Sequence, residues 1–85
     1  MAMIVTTDGQ MIEHHPANTI YELEELQAIV GVPIEMHQTD TGLWVVMHEE
    51  GRLINLKPNP TATLLAGFVV VGDVLLAHDH ELNTE

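Results

Sequence analysis

The chain predicts an α+β domain: a small, mostly antiparallel sheet with two helices. Three observations carry this expectation. Short β-branched and apolar runs recur along the chain, turn chemistry such as Asp8-Gly9 separates several of them, and two segments carry helix-start and helix-stop residues. All 85 residues fit one domain, 1–85, with no repeat, low-complexity segment or linker.

Ala2 to Thr6 and Met11-Ile12-Glu13 flank Asp8-Gly9 and predict an N-terminal hairpin. Thr19 with Glu22 forms a capping-box pattern. Ile20, Leu23, Leu26 and Val30 then recur at helical spacing, with Glu24, Glu25 and Ala28 off that stripe and Gly31 as the stop. From Pro33 the period becomes two. Ile34 and Met36 face one way and Glu35 and His37 the other, as in a half-buried strand, which Thr39 to Gly42 turns.

Leu43 to Met47 is apolar on both faces and is expected as the central strand, with Trp44 buried, a helix on one side and a second subunit on the other. Glu49-Glu50-Gly51 turns the chain, and Arg52 to Leu56 is expected to return as a third strand of this meander. Asn59 as N-cap, Pro60 at the first helical position and Gly67 at the end frame a helix from Pro60 to Ala66. Phe68 to Ala77 is apolar and broken at Gly72-Asp73, either a bulged strand or two strands meeting at a turn. From about Glu81 the sequence predicts a frayed tail.

Pieces of this pattern resemble a family of uncharacterised domains of bacteria, phages and mobile elements, domain of unknown function 3846. The matching residues are Leu26-Gln27, Val30-Gly31, Ile34-Glu35, Glu49-Glu50-Gly51, Leu56, Asn59, Ala62, Thr63 and Val71-Gly72-Asp73-Val74, spread over about residues 20 to 77. The chain has Val32 near where the family pattern has a second glycine, and Pro60 where it has a basic residue. The resemblance implies the fold and a mobile-element setting. It brings no catalytic residue with it.

Function has to be sought in the charge. Thirteen acidic residues stand against two basic ones, Arg52 and Lys57, for a formal charge of −11, while apolar residues make up 46%. That apolar content belongs to a folded domain, so the acidity is a surface property, suited to solubility or to a high-salt cytoplasm. It repels phosphates and anionic lipid, which argues against nucleic acid and membrane partners and favours cationic ones. Imitation of a DNA backbone is a third reading of the acidity, weakened because the carboxylates are thinly scattered along the chain.

The two cations sit just ahead of the start of the second helix. Arg52, Lys57, the Asn59 amide, the hydroxyls of Thr61 and Thr63 and the exposed helix amides are therefore a candidate site for a phosphate or carboxylate. The plainer alternative is that Asn59 caps the helix and the cations pair with Glu49 and Glu50. His78 and His80 would share a strand face as two ligands, but zinc needs a third protein ligand and none is identifiable, so no metal or other cofactor is expected. There is no cysteine and no serine, and no GxSxG, HExxH or P-loop motif.

The expectation is a small acidic, non-enzymatic binding or interaction module, cytoplasmic and self-associating because one small core has little stability to spare. The alternative is a homo-oligomeric protein that sequesters a phosphate-bearing small molecule near Arg52, Lys57 and Asn59.

Overall fold

In the computed structural model, which describes residues 2–82, a five-stranded sheet in the order β2-β1-β5-β4-β3 carries one helix on each face. The strands are β1 (Ala2–Val5), β2 (Met11–His14), β3 (Ile34–Gln38), β4 (Trp44–His48) and β5 (Val74–Ala77); the helices are α1 (Leu23–Val30) and α2 (Pro60–Ala66). Every neighbouring pair of strands is antiparallel. This is the α+β fold the residue pattern predicts.

The hairpin forms as expected. The Thr6 amide donates to the Gln10 carbonyl at 2.9 Å, the Gly9 amide to the Thr6 carbonyl at 3.1 Å, and Gly9 takes φ +91°. That left-handed geometry suits glycine and lets the loop follow the strand twist.

Strand alternation sorts the core into two layers. Ala2, Val46, Leu75 and Ala77 face α1 and pack with Tyr21, Leu26, Val30 and Leu82. Val5, Val45, Met47, Val74 and Leu76 face α2 and pack with Ala62, Ala66 and Val70. The apolar run around β4 is buried on both faces, yet the central strand is β5, paired with β1 on one side and β4 on the other. The reason is non-local, because β5 returns between the N-terminal hairpin and the β3–β4 pair.

Five other expectations are corrected. Helix α1 starts at Leu23, not at Thr19. The Glu25 carboxylate accepts from the Ala17 and Glu22 amides, and the Tyr21 amide is drawn to the Glu81 carbonyl at 2.7 Å, so the segment before Leu23 stays non-helical. Arg52 to Leu56 is a series of turns and not a strand. Ile54 donates to Glu50, Asn55 to Arg52 and Leu56 to Gly51, with Asn55 at φ +58°. Leu56 is held because it packs against Gly72, where a Cβ would come within 2.7 Å of its Cδ1.

Trp44 is half-buried at the start of β4, and its indole N–H donates to the Asp79 carboxylate. The expected tail is structured through Leu82: Glu81 is 3% exposed and Leu82 5%. Residues 83–85 of that expected tail lie outside the described residues. A 3-10 turn over Asp79–Glu81 starts here because the Glu81 carboxylate accepts the His78 amide at 3.0 Å. It also carries His78 and His80 off the strand, with their rings stacked at 5.6 Å between centroids.

Among the described residues no helix is long and apolar enough to cross a membrane.

Candidate functional site

Helix α2 begins where two short extended stretches meet. The Gly72 amide donates to the Lys57 carbonyl at 2.7 Å and the Asn59 amide to the Val70 carbonyl at 2.9 Å, bracketing a single bridge between Pro58 and Val71. Asn59 is the clamp of this junction. Its Oδ1 accepts from the Ala62 amide at 3.0 Å, capping the helix, while its Nδ2 donates to the Val5 carbonyl at 2.9 Å and the Gly72 carbonyl at 2.8 Å.

The side chain is fully buried and all of its capacity used in these bonds serves the fold, so it has no hydrogen free for a ligand. Thr63 is similarly engaged. Its hydroxyl accepts from the Val70 amide at 2.9 Å and lies 3.3 Å from the Val70 carbonyl. Thr61 sits under the hairpin, close to Gly9.

The two cations do not converge. Arg52 lines a cavity of about 390 Å³, whereas Lys57 lines a separate one of about 310 Å³ with Thr7, Leu56 and Asp73. Nor do they pair with Glu49 and Glu50: the two ion pairs among the described residues join His15 to Glu13 and His37 to Glu35. The structure thus separates Arg52 from Lys57, Asn59 and Thr63. Sequence proximity suggested a shared site because both cations lie just ahead of the capped start of α2, and the turns over 52–56 break that relation.

The larger cavity is the feature that sequence reasoning missed. It lies on the α2 face, where β3 and β4 run past the end of the helix, and its walls are Met47, Phe68, Val69, Val71 and Leu53, with Glu35, His37, His48, Glu49 and Arg52 around them. Leu53 is 80% exposed and Val69 60% exposed. Phe68 sets its ring edge-on to His37, 5.6 Å between centroids, and the His37 imidazole lies 3.2 Å from the Glu35 carboxylate. The signal was Gly67-Phe68-Val69 directly after a helix stop, an apolar run that begins before the strand able to bury it.

The titratable groups with resolved shifts lie elsewhere. Burial pushes the Tyr21 hydroxyl up to about 12, with the Glu81 and Glu25 charges acting the same way. Its oxygen is 2.7 Å from His14 Nδ1, and the two rings stack. Burial also pushes the Glu81 carboxyl up, but the bonds and charges around it, the His78 amide first among them, outweigh this and leave its pKa lowered. The Thr6 hydroxyl holds Asp8 below the usual carboxylate range. Tyr21 and Glu81 tie the segment before α1 to the 3-10 turn, while Asp8 sits in the hairpin loop. The basin instead offers apolar contact area rimmed by one guanidinium, two imidazoles and two carboxylates, a composition suited to binding.

Fold and basin together define a small antiparallel α+β domain with an open apolar concavity. The family described as Domain of unknown function (DUF3846) matches residues 1–85, the whole sequence, and the chain belongs to it. No curated protein and no solved structure matches the chain.

Proposed function

We propose that this chain is a small acidic, non-enzymatic binding module that contacts protein through the basin beside α2 and also self-associates. The observation that carries the reading is the exposure of Leu53 and Val69 at the mouth of a cavity of about 390 Å³ whose floor is Met47 and Phe68. Large apolar side chains grouped around a concavity mark contact surfaces more often than isolated ones do. With a charge of −11, the preferred foreign partner is a protein that brings basic residues to the rim and an apolar anchor to the centre. The charge also disfavours nucleic acid and anionic membranes. We place the module in the cytoplasm of a bacterial, phage or mobile-element setting.

Photo-crosslinking in living cells tests this. A crosslinking residue at position 53 should give protein adducts, and one at exposed Glu24 on α1 should not. Equal labelling from both positions, or none from position 53, would overturn the reading.

One observation favours a second reading, in which the basin sequesters a phosphate-bearing small molecule: Arg52 stands in its wall beside His37 and His48. Native mass spectrometry of the purified protein checks it. A bound mass that disappears in Arg52→Gln supports this reading, and an unliganded chain contradicts it.

A further inference from the structure

The free edge of β3 separates two cavities, one on each face of the sheet. Glu35 and His37 line the α2-face basin, while Ile34 and Met36 line a cavity of about 310 Å³ on the α1 face with Leu23, Leu26 and Leu82. Two hydrogen bonds fix which main-chain groups face outward. The Glu49 amide donates to the Pro33 carbonyl at 2.9 Å and the Thr39 amide to the Leu43 carbonyl at 2.7 Å, at the two ends of the β3–β4 register. Antiparallel ladders alternate, so Glu35 and His37 turn their main chain toward β4, and Ile34, Met36 and Gln38 present amides and carbonyls to the open side. No strand pairs with that side among the described residues.

We propose that β3 pairs antiparallel with β3 of a second copy of this chain about a two-fold axis at Met36, joining the two sheets into one. The inference rests on the self-association part of the reading above and names its surface. At this register Met36 exchanges both main-chain bonds with the partner's Met36, and Ile34 does so with the partner's Gln38, giving up to about six bonds across the seam.

Side-chain order makes the pairing self-complementary. Glu35 and His37 flank Met36 symmetrically, so each Glu35 carboxylate stands opposite the partner's His37, and the reverse. These are the closely spaced, non-hydrogen-bonded positions where side chains interact most. On the other face the two Met36 side chains adjoin across the seam between the α1-face cavities.

The opposite edge lacks this property. β2 has the sequence Met-Ile-Glu-His and turns the main chain of Met11 and Glu13 outward. A two-fold axis at Glu13 sets like charges face to face, and one at Ile12 sets Glu13 against the partner's Met11. Charge complementarity therefore selects β3, and it selects a second copy of this chain over a foreign strand.

Sedimentation equilibrium of the wild-type chain, Met36→Pro, Glu35→Lys, His37→Glu and a 1:1 mixture of the last two tests this. The wild type should show a mass twice 9.4 kDa that dissociates on dilution. Met36→Pro removes an outward amide without breaking the β4 ladder and should run as a monomer. Each charge variant alone should associate on the order of tenfold more weakly, and the mixture should recover a heterodimer, because the new lysine then faces the new glutamate and His37 faces Glu35. That recovery cannot come from a change within one chain.

A wild type that stays monomeric at millimolar protein would overturn self-association itself. A dimer that Met36→Pro leaves intact, or a mixture no tighter than its components, would overturn the β3 assignment while leaving self-association standing.

Discussion

On the α1 face of the sheet, the helix, Tyr21 and the 3-10 turn with Leu82 close over Val46, Leu75 and Ala77, and main-chain and side-chain bonds lock the cover: Tyr21 to Glu81 and His14, His78 to Glu81, Trp44 to Asp79. On the α2 face a seven-residue helix meets the sheet through Ala62 and Ala66, residues small enough for close approach but too small to cover the width of the sheet. Met47 and Phe68 are left at the wall of a cavity. The difference separates stability from recognition. Over Val46, Leu75 and Ala77 the α1 face has polar ties spent on closure, and its cavity lies out beside Ile34 and Met36 of β3, whereas the α2 face keeps its apolar surplus at an open rim, where a partner can cover it.

This comparison is broken most readily in the core. Leu75→Ala, on the α1 side of the central strand, should cost about 2 to 5 kcal/mol, a large share of the stability of so small a domain. Urea unfolding measures it, and a loss below about 1 kcal/mol would mean that this face is less tightly closed than its burial indicates.

Asn59→Ala removes the α2 cap and orphans the carbonyls of Val5 and Gly72, so it should cost about 2 to 4 kcal/mol, more than a cap alone. A loss near 1 kcal/mol would reduce Asn59 to an ordinary cap.

Alkaline titration sharpens the same contrast. Because the folded Tyr21 hydroxyl titrates near about 12 against an ordinary value near 10, its contribution is fully present below pH 10 and fades as pH rises toward about 12. The loss should reach about 2 to 3 kcal/mol and vanish in Tyr21→Phe. The lowered Glu81 carboxyl acts at the other end, stabilising above the ordinary carboxylate pKa and failing as acid protonates it, so Glu81→Gln should flatten the acid limb.

The smallest effect on folding is expected at the basin rim. Val69→Ser should change stability by no more than about 0.5 kcal/mol, yet reduce the crosslinking from position 53 described above.

Locally encoded features were legible in the residues. Asp8-Gly9 marks the hairpin, Asn59-Pro60 with Gly67 marks α2, and the Ile34/Met36 against Glu35/His37 alternation assigns β3 to its two faces, because each is settled by neighbours within a few positions. The failures are non-local. Arg52 to Leu56 has the length of a strand and follows a turn, but Leu56 docks on Gly72 and coils the segment, and this scattered the candidate anion site.

The C-terminal segment looked polar and frayed because Glu81 and Leu82 gain their partners from Tyr21 and the α1 core, sixty residues away. A His-x-x-Glu pattern before Leu82, which is a short cap sequence, was the available sign. The basin could not be foreseen from spacing, since its walls come from β3, β4, the 51–53 turn and the segment after α2.

The account's central claim about self-association is that it runs along the free edge of β3. The most direct measurement is an amide NMR dilution series on isotopically labelled wild-type protein. The account predicts concentration-dependent shifts or broadening concentrated at Ile34, Glu35, Met36, His37 and Gln38, with β2 and the outer surface of α1 unchanged. Spectra that do not change with concentration, or changes centred on β2 and α1, would contradict it.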